Sequence, residues 1–289
     1  MKTKKLVVFG LGARGNIYAT FAKTCPEKFK LVAIIEKDEK RLEYAKTAYP
    51  GVRLFKDYKD FLPEKIEADI VAVATQDEDH KEHAIAMMQA GYDLLLEKPI
   101  ANNKEDCLAI YEASKRNDRK VVICHVLRYT PFYATVKRYI DSGKLGEVIT
   151  IHASESVGYY HQAHSFVRGP WRNKAQSSPM ILAKCCHDMD ILRYLMGEEC
   201  LSVNSYGDLF YFNKEHASKD ATAYCSDCLH KDCIYKAQTI YTSETGRGFS
   251  AYFTTREKTD ENILTDLAKT QYDRCVFASD NDVVDHQVS

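Results

Sequence analysis

The sequence predicts an α/β protein, with an N-terminal Rossmann-type doubly wound parallel sheet followed by an α+β domain with a largely antiparallel open sheet. Three observations predict it. Short, continuously apolar runs recur through the first 124 residues, amphipathic stretches of helical spacing separate them, and polar-alternating runs take over afterwards. Continuous apolar strands are buried on both faces, as in a parallel sheet covered by helices. Strands alternating with helices build such a sheet. The 289 residues are about twice a usual domain, so the change of rhythm divides the chain into domains at 1–124 and 125–289.

The elements follow in order. Leu6–Phe9 is the first strand, and Gly10, Gly12 and Gly15 form a G-x-G-x-x-G directly after it, opening a helix over Ile17–Ala22. In that setting the first glycine permits the turn, the second lets backbone approach a pyrophosphate, and the third allows close helix–strand packing. The helix N-terminus, with Ala13 and Arg14 in its first turn, offers free N–H groups to phosphates. Leu31–Ile35 is the second strand and ends at Glu36, about twenty residues past the motif, where a carboxylate accepts ribose hydroxyls and repels a 2′-phosphate. This favours NAD over NADP, although Lys37 and Arg41 stand close enough to serve a 2′-phosphate. Lys40–Ala48, His80–Ala90 and Cys107–Arg116 have helical spacing, and Ile70–Ala74, Leu94–Leu96 and Val121–Cys124 are strands. In the second half Lys144–Ser156 and Leu201–Phe212 read as long strands around a helix at Ile181–Leu195, with Val276–Ala278 and Val283–Val284 as shorter strands.

The net charge of −1 and the absence of a basic stripe give no reason to expect nucleic acid or an anionic membrane as partner. The first apolar run is too short for a signal-peptide core, and no later run reaches the roughly 18 residues of a membrane span. The expectation is a soluble, cytoplasmic protein. Its ten cysteines are then reduced thiols or metal ligands. Cys225-x2-Cys228-x4-Cys233, with His230 inside, has spacing that suits a structural zinc, and Cys275, Cys200 or a residue beyond the chain end could complete the shell. Plain reduced cysteines are the alternative.

Three segments resemble the Gfo/Idh/MocA oxidoreductases. ADIVAVATQDEDH (68–80) is similar to a strand followed by the family's A-T-P-x-x-x-H turn, with Gln76 in place of proline. AGYDLLLEKPI (90–100) carries E-K-P, and LAKCCHDMDILRYLMG (182–197) is similar to the D-x-G-x-H-x-x-D helix. The resemblance covers roughly residues 4–200. It implies a hydride transfer between a nicotinamide cofactor and a secondary hydroxyl of a sugar or cyclitol, with Thr75, His80, Glu97 and Lys98 at the cofactor. Lys98 would also polarise the reacting hydroxyl, and His187 would be the base, the proton acceptor such an oxidation needs. The peptide bond before Pro99 is often cis in the family. Arg128, Tyr160, His164, Trp171, Arg172, Lys184 and Asp190 are the candidate substrate residues. The family's aspartate four residues before the histidine is Ala183 here, so that carboxylate comes from elsewhere, or Lys184 takes part, or the chemistry is altered.

Two other readings remain open. Some relatives recycle a tightly held NAD to drive elimination or glycoside cleavage, and a regulatory protein could bind NAD without turnover. Members of the family usually continue for several further strands, so the chain is expected to be a truncated product. It is expected to be a homo-oligomer where that outer sheet is intact.

Overall fold

The computed structural model describes residues 2–254 and 257–289, which divide into two compact units, 1–124 and 125–289. In the first unit the chain runs β1 (Lys4–Phe9), α1 (Ala13–Thr24), β2 (Phe29–Ile35), α2 (Glu39–Ala48), β3 (Arg53–Phe55), α3 (Tyr58–Phe61), β4 (Ile70–Val73), α4 (His80–Gln89), β5 (Asp93–Leu96), α5 (Lys104–Arg116) and β6 (Val121–Ile123). The six strands form one parallel sheet in the order β3-β2-β1-β4-β5-β6. The order reverses between β1 and β4, and open α/β sheets bind ligands at the strand carboxyl ends beside such a reversal. Gly10, Glu36, Thr75 and Glu97 all follow strands at that edge.

Alternate strand residues explain why both faces are covered. Val7, Phe9, Ile35, Val71, Val73, Leu94 and Leu96 pack with Ala84, Met87 and Met88 of α4 and Ile110 and Ala113 of α5. Leu6, Val8, Ile34 and Ala72 point the other way, onto Ala19 and Ala22 of α1 and Ala45 of α2. The helices begin where short polar side chains cap them. Asp38 accepts from the N–H groups of Lys40 and Arg41 before α2, and Asn103 accepts from that of Asp106 before α5. No side chain caps α1.

The second unit contains α6 (Pro131–Asp141), α7 (Tyr159–Gln162) continued by a π-helical stretch over Ala163–Arg168, α8 (Met180–Ala183), α9 (Cys186–Met196), β7 (Tyr206–Asp208), α10 (Ala237–Thr242), α11 (Asp260–Leu267) and β8 (His286–Val288). Its core is aromatic, built around Phe212, Tyr235, Tyr241, Tyr272 and Phe277. The antiparallel sheet is present but small: among the described residues β7 pairs with β8 alone, Tyr206 opposite Val288 and Asp208 opposite His286. This corrects several expected strands. Lys144–Ser156 has β-like alternation but pairs with no strand among the described residues, and it forms none. Only three residues of Leu201–Phe212 are strand. Past Asp208 the backbone N–H groups of Phe210, Tyr211 and Phe212 turn to the Asp285 carboxylate instead. Val276–Ala278 enters the core as a turn, and Val283–Val284 stops short of β8. No described helix is long and apolar enough to cross a membrane.

Candidate functional site

The three glycines of the first turn are there for different reasons. Gly10 has φ +89, and a Cβ on it would lie 2.6 Å from the Ala74 carbonyl oxygen. A Cβ on Gly15 would run into the Gly10 carbonyl. Both positions therefore require glycine for the chain to fold. Gly12 does not: its φ of −70 and ψ of −164 suit any residue, and an added Cβ would meet only Arg41 Nη1, at 3.8 Å. The fold leaves an open space beside Gly12, at the uncapped N-terminus of α1, where Ala13 is exposed and Arg14 follows.

Glu36 closes the other side of this turn. It is 4 % exposed, and its two carboxylate oxygens accept from the backbone N–H groups of Leu11 (2.6 Å) and Asp38 (2.8 Å). Arg41 stands 3.8 Å away. The acid is thus fixed against the glycine turn by the protein itself.

At the ends of β4 and β5 a second set assembles within the same unit. The Lys98–Pro99 peptide bond is cis, and the buried His80 meets the Pro99 carbonyl through Nδ1 at 2.8 Å. Thr75 Oγ1 contacts His83 Nδ1 at 3.1 Å. Glu97 is buried, its backbone N–H donates to the Val73 carbonyl, and its Oε1 accepts from Arg14 Nε (2.8 Å) and from the Tyr18 hydroxyl. Tyr18 also donates to Cys124 Sγ at 3.2 Å. Burial and then the Glu97 charge push the Tyr18 phenol up and the Cys124 thiol up to about 11, so both stay protonated. Burial opposes the charge on Arg14, but Glu97 outweighs it and raises that pKa. Sequence reasoning missed Tyr18 and Cys124. The signal for Tyr18 was its place one helical turn after Arg14, on the same face.

In the second unit α9 carries His187 and Asp190. Asp190 is gripped by both nitrogens of an Arg128 fork, at 2.7 and 2.6 Å, with Arg128 lying over the Tyr194 ring. His125, a residue the motifs did not single out, places Nε2 3.9 Å from Asp190 and its ring 6.0 Å from that of His187. Two imidazoles, a carboxylate and a guanidinium are therefore grouped around the start of α9.

The same unit holds a cavity of about 1030 Å³, whose lining includes Phe132, Glu155, Lys184, Cys185, Asp188 and Phe210. Lys184 pairs with Glu155 at 2.8 Å. Asp188, also missed from sequence, is half-buried, and burial raises its pKa. Ala183 is buried and carries no polar group to take the place of the family's aspartate.

The remaining candidates sit elsewhere. Tyr160 packs beside Phe249 against the aromatic core. Trp171 contacts Phe166 and Tyr252, and Arg172 is tied to Asp280 at 2.8 Å. His164 is 0 % exposed, stacked at 7° on Tyr272 and bonded through Nδ1 to the Tyr241 hydroxyl. That is a place inside the core, which no ligand reaches while it stays packed. Cys225, Cys228 and Cys233 are free thiols. Among the described residues no group of three or more His, Cys, Asp or Glu is gathered for a metal ion.

Comparison with known proteins adds to this geometry. The model of the oxidoreductase family with an NAD-binding Rossmann fold matches residues 4–125, and that of the GFO/IDH/MocA C-terminal domain matches residues 133–226. Inositol 2-dehydrogenase 2 of Saccharopolyspora erythraea is 30 % identical over 71 % of this chain and 57 % of its own length. Inositol 2-dehydrogenase of Salmonella typhimurium is 24 % identical over 71 % of this chain and 58 % of its own. Among solved structures, scyllo-inositol dehydrogenase from Lactobacillus casei with bound NAD(H) and scyllo-inositol has a TM-score of 0.64 at 27 % identity, covering 71 % of this chain and 60 % of that one. The chain thus spans less than two thirds of the length of the relatives it matches.

Proposed function

Because the chain belongs to the Gfo/Idh/MocA oxidoreductase family, we propose that it is an NAD-dependent dehydrogenase acting on a secondary hydroxyl of a cyclitol or sugar. The observation that carries this reading is Gly12, the one glycine of the motif that the fold itself does not need. An open space at an uncapped helix N-terminus fits a pyrophosphate, which the first-turn N–H groups of Ala13 and Arg14 would hold. Glu36, already anchored, would take the ribose hydroxyls and disfavour a 2′-phosphate, which supports NAD over NADP. Thr75, His80, Glu97 and Lys98 would complete the cofactor side.

Bound NAD supplies the hydride acceptor. The remaining work belongs to side chains. Lys98 donates a hydrogen bond to the substrate hydroxyl and favours its deprotonated form. His187 accepts the proton, a task for which an imidazole titrates in a suitable range. Arg128 holds Asp190 and so fixes the face of α9 that carries His187. Lys184 and Asp188, on the wall of the 1030 Å³ cavity of the second unit, recognise substrate hydroxyls. Asp188 then supplies the carboxylate that Ala183 lacks. The names of the relatives place inositols first among the substrates to try.

The test follows NADH formation with a panel of inositols and hexoses. Lys98→Ala and His187→Ala should each lower kcat by about 10²–10⁴-fold on the active substrate at saturating NAD. Turnover by Lys98→Ala equal to that of the unaltered chain, or bound NAD with no turnover on any polyol, contradicts the proposal.

A further inference from the structure

Tyr18 takes no part in the chemistry above, yet it stands where three elements of the first unit meet. It lies in the second turn of α1, one turn after Arg14 and on the same face, and its ring packs against the core beneath that helix. Its hydroxyl reaches Glu97 Oε1 just past β5, Cys124 Sγ at 3.2 Å just past β6, and Arg14 Nη2 at 3.5 Å. The ends of β5 and β6 are joined there, because the Cys124 N–H donates to the Leu96 carbonyl at 2.9 Å.

The carboxylate at the centre of this meeting point belongs to the residue before Lys98. Glu97 is 5 % exposed, and a carboxylate so buried keeps its charge only where donors replace water. Its Oε1 takes two donors, Arg14 Nε at 2.8 Å and the Tyr18 hydroxyl. Its Oε2 accepts from the backbone N–H of Lys98 at 3.3 Å. One planar group thus connects α1 to the Lys98 peptide. Of the two donors Tyr18 is the firmer anchor. Arg14 has a long side chain that is 42 % exposed, whereas a tyrosine has only two side-chain torsions and this ring is packed.

We propose that Tyr18 is a positioning residue for Lys98: it fixes the Glu97 carboxylate, and that carboxylate holds the Lys98 backbone. The role rests on the function proposed for Lys98 as donor to the substrate hydroxyl. It makes α1, whose N-terminus is the proposed place of the pyrophosphate, also the element that sets the lysine. Burial and the Glu97 charge keep the phenol protonated, so it stays a donor throughout the neutral pH range. Phenylalanine in its place keeps the ring and removes only that donor. The loss is then one of geometry, and misplacing a reacting group by about 1 Å can lower a rate on the order of 10²-fold.

The test compares Tyr18→Phe with the unaltered full chain, without cofactor, by hydrogen exchange at single amides read by NMR. The Lys98 N–H should exchange about tenfold faster or more in the variant, while that of Val8, fully buried in β1, keeps its rate. If Tyr18→Phe does not fold, Tyr18→Met, which also lacks a donor and adapts to irregular gaps, takes its place. In turnover, kcat should fall about tenfold or more with the NAD dissociation constant changed less than about threefold. In a Glu97→Ala background the same replacement should lower kcat little further, because Tyr18 acts through that carboxylate. An unchanged Lys98 exchange rate in the folded variant overturns the proposal. So does a loss of kcat that is undiminished in the Glu97→Ala background. The exchange rates need neither cofactor nor substrate, so they decide whether Tyr18 holds this backbone even where no polyol is turned over. Turnover that ignores Lys98→Ala would instead sink the function assigned to Lys98.

Discussion

Glu36 is held in place by the N–H groups of Leu11 and Asp38 before any ligand arrives, so its removal acts twice. Glu36→Ala leaves two donors without an acceptor and takes away the proposed ribose partner. Hydrogen bonds to a charged group are worth about 1.5–3 kcal/mol, so NAD affinity should fall by about ten- to a hundredfold, with the preference over NADP reduced. Calorimetric titration of the variant with both cofactors checks this; an unchanged NAD affinity would remove Glu36 from the site. His164 behaves differently. Burial lowers its pKa from 6.5 to about 3, so between those values the unfolded chain binds a proton that the folded chain refuses. Its contribution to stability is therefore complete above about pH 6.5 and is lost as pH falls, by at most about 1.4 kcal/mol per pH unit. Urea denaturation between pH 7 and pH 4 should show this slope, and His164→Phe should flatten it. An identical slope in the variant would mean that His164 is not the group responsible. From sequence alone His164 looked like a ligand residue, because its neighbours Tyr160 and His161 suit a sugar; the stacking that encloses it comes from Phe249 and Tyr272, far along the chain.

At the scale of elements, legibility follows from how much of a pattern is local. β1, β2, β4, β5 and β6 were readable because each is apolar on both faces and ends at a polar or glycine-rich turn. β3 was not: only two of its three residues, Arg53-Leu54-Phe55, are apolar, whereas the equally short edge strand β6 is apolar throughout. The glycine turn and E-K-P corner were legible for the same reason, being short contiguous motifs at strand ends. The grip of Arg128 on Asp190 and the approach of His125 depend on pairing residues about sixty positions apart, which no local pattern records. Lys144–Ser156 shows the opposite failure. Alternation states which face a strand would bury, but not whether a partner strand exists. The sheet elements that are paired carry the stability. Leu96 is fully buried at the carboxyl end of β5 and packs with Met87 and Met88. Leu96→Ala should cost about 2–5 kcal/mol of unfolding free energy, read from chemical denaturation of the full chain, whereas a loss below about 1 kcal/mol would contradict the packing described for this face.

For the whole molecule, a net charge of −1 leaves no large electrostatic field to steer a polyanion, and the chemistry rests on local groups instead. The first unit contains a dinucleotide turn complete in its own residues: Gly10 and Gly15 are required by the fold, Gly12 is not, and Glu36 is anchored beside it. The most direct test of this account is calorimetric titration of the full chain with NAD, beside a Gly12→Asp variant. The backbone at Gly12 accepts a side chain and the space is open, and aspartate is a favourable helix N-cap. The account predicts that Gly12→Asp melts at or above the temperature of the unaltered chain yet loses NAD binding, because a carboxylate occupies the place of the pyrophosphate. A folded Gly12→Asp protein that binds NAD as tightly as the unaltered chain, or an unaltered chain that binds no NAD, would contradict it.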